Sequence, residues 1–296
     1  MLILRGAAPN RQLAYQAFID PAHPLSAGLV CSALNSQADL RCGPLNYVTR
    51  ARGTITAPST TTFSNRGVCD SYNGSSSWSN VPVDLSPHKR LTISFWLYWD
   101  AYSTGTDRVM QYGNSLTTQT GFYVSPDSPV SSGSWLFGLH ASGTYSQRLF
   151  ARPNSHIAGW YFYAFHLDLT LATDQMAAAY VGWQNIVGTS QMPTSAPLTN
   201  NIQTLAANQT FSKRALGLFN DDTGSAAGFF GAGKMMNLNI YSRLLSVGEL
   251  GSLMLNPYQM FVAPSLIRGL RGPTAAFNPA WASAANTMIQ PGAMTA

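Results

Sequence analysis

The sequence predicts an all-β protein: a two-sheet antiparallel jelly-roll sandwich with one short helix near the C-terminus and an extended arm at each end. Three observations carry that expectation. The segment LTISFWLYWD (91–100) alternates without a break, with Leu91, Ile93, Phe95, Leu97 and Trp99 on one face and Thr92, Ser94, Trp96, Tyr98 and Asp100 on the other. About a dozen short strand-like runs are separated by Gly, Asn, Ser, Pro and Thr, the residues that turn a chain. Helical spacing is clean in one place, residues 247–255.

The other strand candidates follow in chain order. GLVCSAL (28–34), GVCDSY (67–72), RVMQYG (108–113), GFYVS (121–125), SWLFGLH (134–140) and YSQRLFA (145–151) come first. GWYFYAFHLDL (159–169), MAAAYVGW (176–183), RALGLFN (214–220) and FFGAGKMMNLNIYSR (229–243) complete the series. Residues 188–213 form the longest stretch without a strand period and are expected as an exposed loop. The texture divides the chain into an N-terminal arm (1–24), a sandwich domain (25–262) and a C-terminal arm (263–296) that is rich in Ala, Pro and Gly with isolated Leu, Ile, Phe and Trp anchors.

The 296 residues hold enough apolar material for one large β domain, since 45% are hydrophobic. Charged residues make up 10%, well under the roughly 25% of ordinary globular proteins. A surface so poor in charge suits a protein that packs against partners. The net charge is +5, yet the basic residues are scattered. Arg41, Arg50, Arg52 and Arg66, with no acid among them, are the nearest thing to a basic patch, and no basic-aromatic module of the nucleic-acid-binding kind appears. Arg outnumbers Lys 14 to 3, which suits interface pairing. No run approaches the length of a membrane span, and the N-terminal MLIL is too short for a signal-peptide core. No direct nucleic acid, no membrane and synthesis in a cytoplasm are therefore expected. Cys31, Cys42 and Cys69 show no C-x-x-C spacing; a Cys31–Cys42 bridge would need an oxidising compartment, and buried thiols are the expectation.

Catalytic sets are hard to write from this chain. It has eleven Asp and a single Glu, Glu249, so the paired glutamates of a glycosidase strand are missing. His23, His88, His140, His156 and His166 lack zinc-site spacing. His166 and Asp168 share a strand face, a pair expected to fix a half-buried imidazole rather than to react. No G-x-S-x-G elbow or phosphate loop occurs. The expectation is a protein that is not an enzyme and has no cofactor. Calcium is the one ion considered, at Asn220, Asp221 and Asp222, three oxygen-bearing side chains in a row. Of 34 aromatic residues most are assigned to core and interface; Trp78 and Trp183, in turn-like contexts, are the candidate sugar-stacking residues.

Four segments in order resemble the laminin-G-like, concanavalin-A-like jelly-roll family. They are CDSYNGSSSWSNVPVDL (69–85), LTISFWLYWD (91–100), GWYFYAFHLDL with AAAYVGWQNI, and GFFGAGKMMNLNIYSRLLSVGELGSLMLNPYQMF, together covering about residues 25–262. Where the family has a hairpin Asp-Gly, this chain has Gly182-Trp183. The resemblance is closest to the variety carried by tailed-phage virions. It implies a structural virion protein, in capsid decoration or the tail, with other virion proteins and further copies of itself as partners. The alternative is a glycan-binding, lectin-like module or receptor-binding protein.

The helix at 247–255 carries its own start signal. Ser246 and Glu249 stand in the S-x-x-E relation of a capping box, and Asn256-Pro257 ends the run. The single glutamate is therefore expected to be architectural.

Overall fold

The computed structural model describes residues 18–33, 40–42, 46–48, 51–52, 56–60, 68–99, 107–113, 119–125, 134–141, 144–151, 159–171, 176–184, 190–196, 198–202, 208–220 and 231–262. The first strands are β1 (Phe18–Ile19), β2 (Leu29–Ala33), β3 (Leu40–Cys42), β4 (Asn46–Val48), β5 (Ala51–Arg52) and β6 (Thr56–Thr60). Next come β7 (Val68–Asn73), β8 (Ser79–Val81), β9 (Arg90–Trp99), β10 (Met110–Tyr112), β11 (Gly121–Ser125), β12 (Ser134–Ala141) and β13 (Thr144–Ala151). The last are β14 (Gly159–Asp168), β15 (Ala177–Gln184), β16 (Ser190–Ser195), β17 (Leu198–Ile202), β18 (Leu216–Leu218), β19 (Ala232–Tyr241) and β20 (Phe261–Val262), with helix α1 (Val247–Leu255) before β20.

Two antiparallel sheets face each other. One has the order β16-β15-β14-β9-β19-β2-β3-β4, with β7 on the same edge of β19 as β2 and β6 outside β7. The other has the order β17-β13-β12-β11-β10-β18-β8-β5. The alternation in 91–100 does what its period demands: Leu91, Ile93, Phe95 and Leu97 join the inter-sheet core with Phe122, Phe137, Phe165 and Leu218. The opposite face is also buried. Trp96 packs there with Phe162, Met236, Leu250, Leu253 and Met254, beneath α1 and the segment that begins with Ile19. The chain covers its own second face with a helix and a terminal strand pair, β1 with β20.

Two expectations from the sequence need correction. The 188–213 stretch is not one loop: it contains β16 and β17, which lie at the outer ends of the two sheets. Edge strands are half solvated and here carry Gln191, Thr194 and Ser195 exposed, with Pro193 in the strand, so no apolar alternation marks them. Gly182-Trp183 is not a turn either. Both residues lie in β15, with Trp183 opposite Tyr161 on one side and Gln191 on the other. The register shifts between Val181 and Trp183, and a Cβ on Gly182 would sit 2.6 Å from Met254 Sδ and 2.9 Å from the Gln191 carbonyl oxygen. Gly182 is present because a bulge and the helix both press on the backbone there.

Helix α1 is locked at its start as its sequence foretells. The Glu249 N–H donates to Ser246 Oγ at 3.2 Å, and the Ser246 N–H donates to Glu249 Oε2 at 2.8 Å. Arg243 adds a 2.6 Å ion pair to Glu249 Oε1 and donates through Nε to the Ala27 carbonyl at 2.8 Å. Thr92, in the central strand, donates to the Arg243 carbonyl and accepts from the Leu245 N–H. One chain of bonds thus runs from the sheet through the helix entry to the N-terminal turn. The Arg243 side-chain hydrogen bond, ahead of the bonds from Ser246, holds the Glu249 carboxyl down to about 2. A lowered folded value stabilises above the ordinary 4.5 and is lost as pH falls from there towards 2. Glu249→Ala is expected to cost roughly 0.5–2 kcal/mol at neutral pH. In urea titrations the gap to the unaltered protein should close between pH 4.5 and 2; a pH-independent gap would contradict the latch.

Candidate ligand-binding rim

The strand directions gather a set of strand ends at one end of the sandwich. In the first sheet β7, β9 and β15 end there, and β14, β16 and β19 begin there. In the second sheet β11, β13 and β18 end there and β8, β10 and β12 begin there. The two sheets are joined at this end by the bond from the Gly231 N–H to the Phe219 carbonyl (3.3 Å) and by the β7–β8 turn. The strand ends on either side of the connections β7–β8, β9–β10, β11–β12, β13–β14, β15–β16 and β18–β19 therefore share one rim, and the β7–β8 turn lies on it.

This topology places two candidates at the same end of the sandwich, although β19, β9 and β14 stand between β7, which leads to Trp78, and β15, which carries Trp183. Trp78 directly precedes Ser79, which pairs with Leu218 where β18 ends. Trp183, near the end of β15, reaches the same end of the other sheet, opposite Tyr161. The loop that presents Trp78 is held from within. Asn73 Oδ1 accepts from the N–H groups of Ser75, Ser76 and Ser77 at 3.0, 3.0 and 2.9 Å, and Asn73 Nδ2 donates to Ser76 Oγ. Gly74 takes φ +72° with Ala232 against it, a conformation and a closeness that suit glycine. Below the loop, Tyr72 stacks on Phe219 at 3.9 Å and its hydroxyl meets Ser79 Oγ at 2.8 Å. Trp78 itself is half-buried. The rim thus offers part of an indole on a preorganised turn.

Asn220 is fully buried, and Asp221 and Asp222 lie outside the described residues. Among the described residues no three His, Cys, Asp or Glu side chains gather as metal ligands would.

Two cation–aromatic contacts near this end escaped the sequence reading. Lys234 Nζ lies 4.9 Å over the Tyr98 ring, and Tyr98 meets Trp160 at 5.6 Å, across three adjacent strands of the first sheet. In the second sheet Arg108 lies 4.0 Å over Tyr123, whose ring covers Gly138 so closely that a Cβ there would overlap it. Burial pulls the Arg108 proton affinity below its ordinary value. No periodicity in one strand announces such contacts, because their partners come from different strands.

The histidine–aspartate pair at 166 and 168 does not act as a unit. Asp168 accepts from Arg90 Nε at 2.8 Å and from the Thr170 N–H at 3.0 Å. His166 stacks against Tyr180 at 4.6 Å instead, and its Nε2 has no hydrogen-bond partner among the described residues. Burial lowers its pKa to about 4. His140, with Nδ1 at 2.9 Å from the Gln119 carbonyl oxygen, is lowered for the same reason.

The fold these elements define is a jelly-roll-like β-sandwich. No family model matches the chain, and neither does any curated protein. Solved structures do. The binding domain of botulinum neurotoxin DC in complex with rat synaptotagmin II is 8% identical with a TM-score of 0.50, covering 78% of this chain and 51% of that one. The same neurotoxin's binding domain in complex with SialylT is 9% identical with a TM-score of 0.50, covering 79% of this chain and 52% of that one. At such identity the likeness is one of fold, and the chain spans about half the length of these solved chains.

His166 yields a prediction for acid stability. Because its folded pKa is depressed, the stability it contributes is present above 6.5 and is lost as pH falls from 6.5 towards about 4. Between pH 7 and 5 the unaltered protein should lose on the order of 2 kcal/mol more than His166→Gln in denaturant titrations. Equal losses in the two proteins would mean that the imidazole is not kept neutral by burial.

Proposed function

We propose that this chain is a non-catalytic recognition module whose ligand-facing surface is the rim carrying Trp78, and that the ligand is a carbohydrate. The observation that carries this reading is the Asn73-braced turn, which fixes a half-buried indole between the end of β7 and the start of β8, beside the end of β18. Preorganisation of that kind lowers the entropy lost on binding, and an indole face suits the C–H face of a sugar ring. Lys234 and Tyr98, both half-buried, lie at the same end of the first sheet, on the face that carries the helix. The folds it is similar to include binding domains solved with a protein and with SialylT, which agrees in kind with a recognition role. Calcium at Asn220, Asp221 and Asp222 would be an accessory of the same rim.

The setting we propose is the virion of a tailed phage, as the resemblance of the sequence implies. A second reading, assembly through the terminal arms as a capsid-decorating or tail component, has its own observation. Phe18 pairs with Val262, so the first and last described residues lie side by side. The exposed large apolar side chains among the described residues, Met192, Leu244, Val247 and Leu255, lie on or against α1 and the turn before it.

A glycan array separates the readings. The recognition reading expects binding with Kd of roughly 10⁻⁶–10⁻³ M, weakened about tenfold or more by Trp78→Ala and unchanged by deletion of 263–296. A blank array overturns it. The assembly reading expects the deletion to lower incorporation into particles while the sandwich stays folded, and normal incorporation of the truncated chain overturns that reading.

A further inference from the structure

The sequence leaves three ways to pair its three cysteines; the sheet register leaves one. In the β2–β3 ladder Cys31 stands directly opposite Cys42. Directly opposed residues of an antiparallel pair share a face, with Cα atoms about 4.5–5.5 Å apart, inside the span of about 4.4–6.8 Å that a disulfide bridges. Cys31 belongs to the inter-sheet core, whereas Cys69 belongs to the cluster on the other face, beneath α1. The thickness of the sheet thus separates Cys69 from Cys31.

We propose that Cys31 and Cys42 are a disulfide site, formed when the protein meets a low-molecular-weight disulfide such as oxidised glutathione. The step balances as an exchange. One protein thiolate attacks the glutathione disulfide and releases one glutathione thiolate. The second protein thiolate then attacks the mixed disulfide and releases the other. Two protein thiols are oxidised, one glutathione disulfide is reduced, and two glutathione thiols leave with the protons.

The consequence lies at the end of the first sheet. β3 and β4 are its outermost pair, and β3 is held to the body of the sandwich through β2. β2 in turn is held to β19, where Ser32 Oγ donates to Asn239 Oδ1 at 2.6 Å. A 31–42 bridge would staple that outer pair to the strand that carries it. It would also close a short chain loop, which restricts the unfolded state.

The test is oxidation of the native protein with oxidised glutathione, followed by thiol titration in denaturant and peptide mapping by mass spectrometry. The unaltered chain should fall from three titratable thiols to one, and from about its reduced mass by about 2 Da. Cys69→Ser should still form the bridge, and Cys42→Ser should keep both of its remaining thiols. The oxidised form should melt about 5–10 °C higher, and dithiothreitol should reverse the shift. Three thiols after treatment, a lasting glutathione adduct, a linkage that includes Cys69, or a bridge formed only after unfolding would each overturn the proposal. Mapping of the unaltered chain keeps the test decisive even if a cysteine variant fails to fold.

Discussion

The central strand β9 is the constraint on which the rest of the structure depends, because both of its faces are buried. Leu91, Ile93, Phe95 and Leu97 fill the space between the sheets, while Thr92, Ser94 and Trp96 lie buried under the helix layer. A strand with one solvated face tolerates some slippage; a slip of one residue here would exchange a wholly apolar row for one containing two hydroxyls and an indole. The register of β9 against β14 runs unbroken from Arg90–Asp168 to Trp99–Gly159, and it is closed at one end by the Arg90–Asp168 ion pair. With that register fixed, the aromatic residues of β14 have defined places, Tyr163 and Phe165 against Trp135 and Phe137, Phe162 against Trp96.

On the other side of β9, β19 resolves a conflict that its neighbours create. β7 and β2 occupy the same edge of β19, one along Ala232–Met235 and the other along Leu238–Tyr241. Between them the register shifts against β9 and Asn237 adopts φ +54°. The extra residue returns Leu238 and Ile240 to the inter-sheet core after Met235, and leaves Met236 on the helix side. The same end of β19 delivers Ala232 and Gly231 to the rim, against Gly74 and Phe219. The geometry of the proposed binding rim therefore follows from strand bookkeeping in the middle of the sheet.

Much of this was legible in the sequence, and the reason is periodic burial. Strands with a buried face, such as β9, β14 and β19, announce themselves by alternation or by apolar runs. The helix announces itself by Ser246 and Glu249, whose bonds are local and need only four consecutive residues. Elements with little buried side chain were silent. β16 is polar along its exposed edge and contains Pro193, so it read as loop. Trp183 read as turn-like because it follows a glycine, and glycine serves turns and bulges alike; Gly182 is required by the close approach of Met254 and β16, which come from later in the chain.

By itself the sequence determined the class of the fold, the central strands, the helix and its cap, and the architectural role of Glu249, because each rests on a local period or a contact within a few residues. The tertiary structure alone decided which distant residues meet. It set Tyr72 on Phe219, Lys234 over Tyr98, Cys31 opposite Cys42 and His166 on Tyr180 rather than on Asp168. Those pairings depend on strand order and register, which arise from packing two faces at once and leave no mark within a single strand.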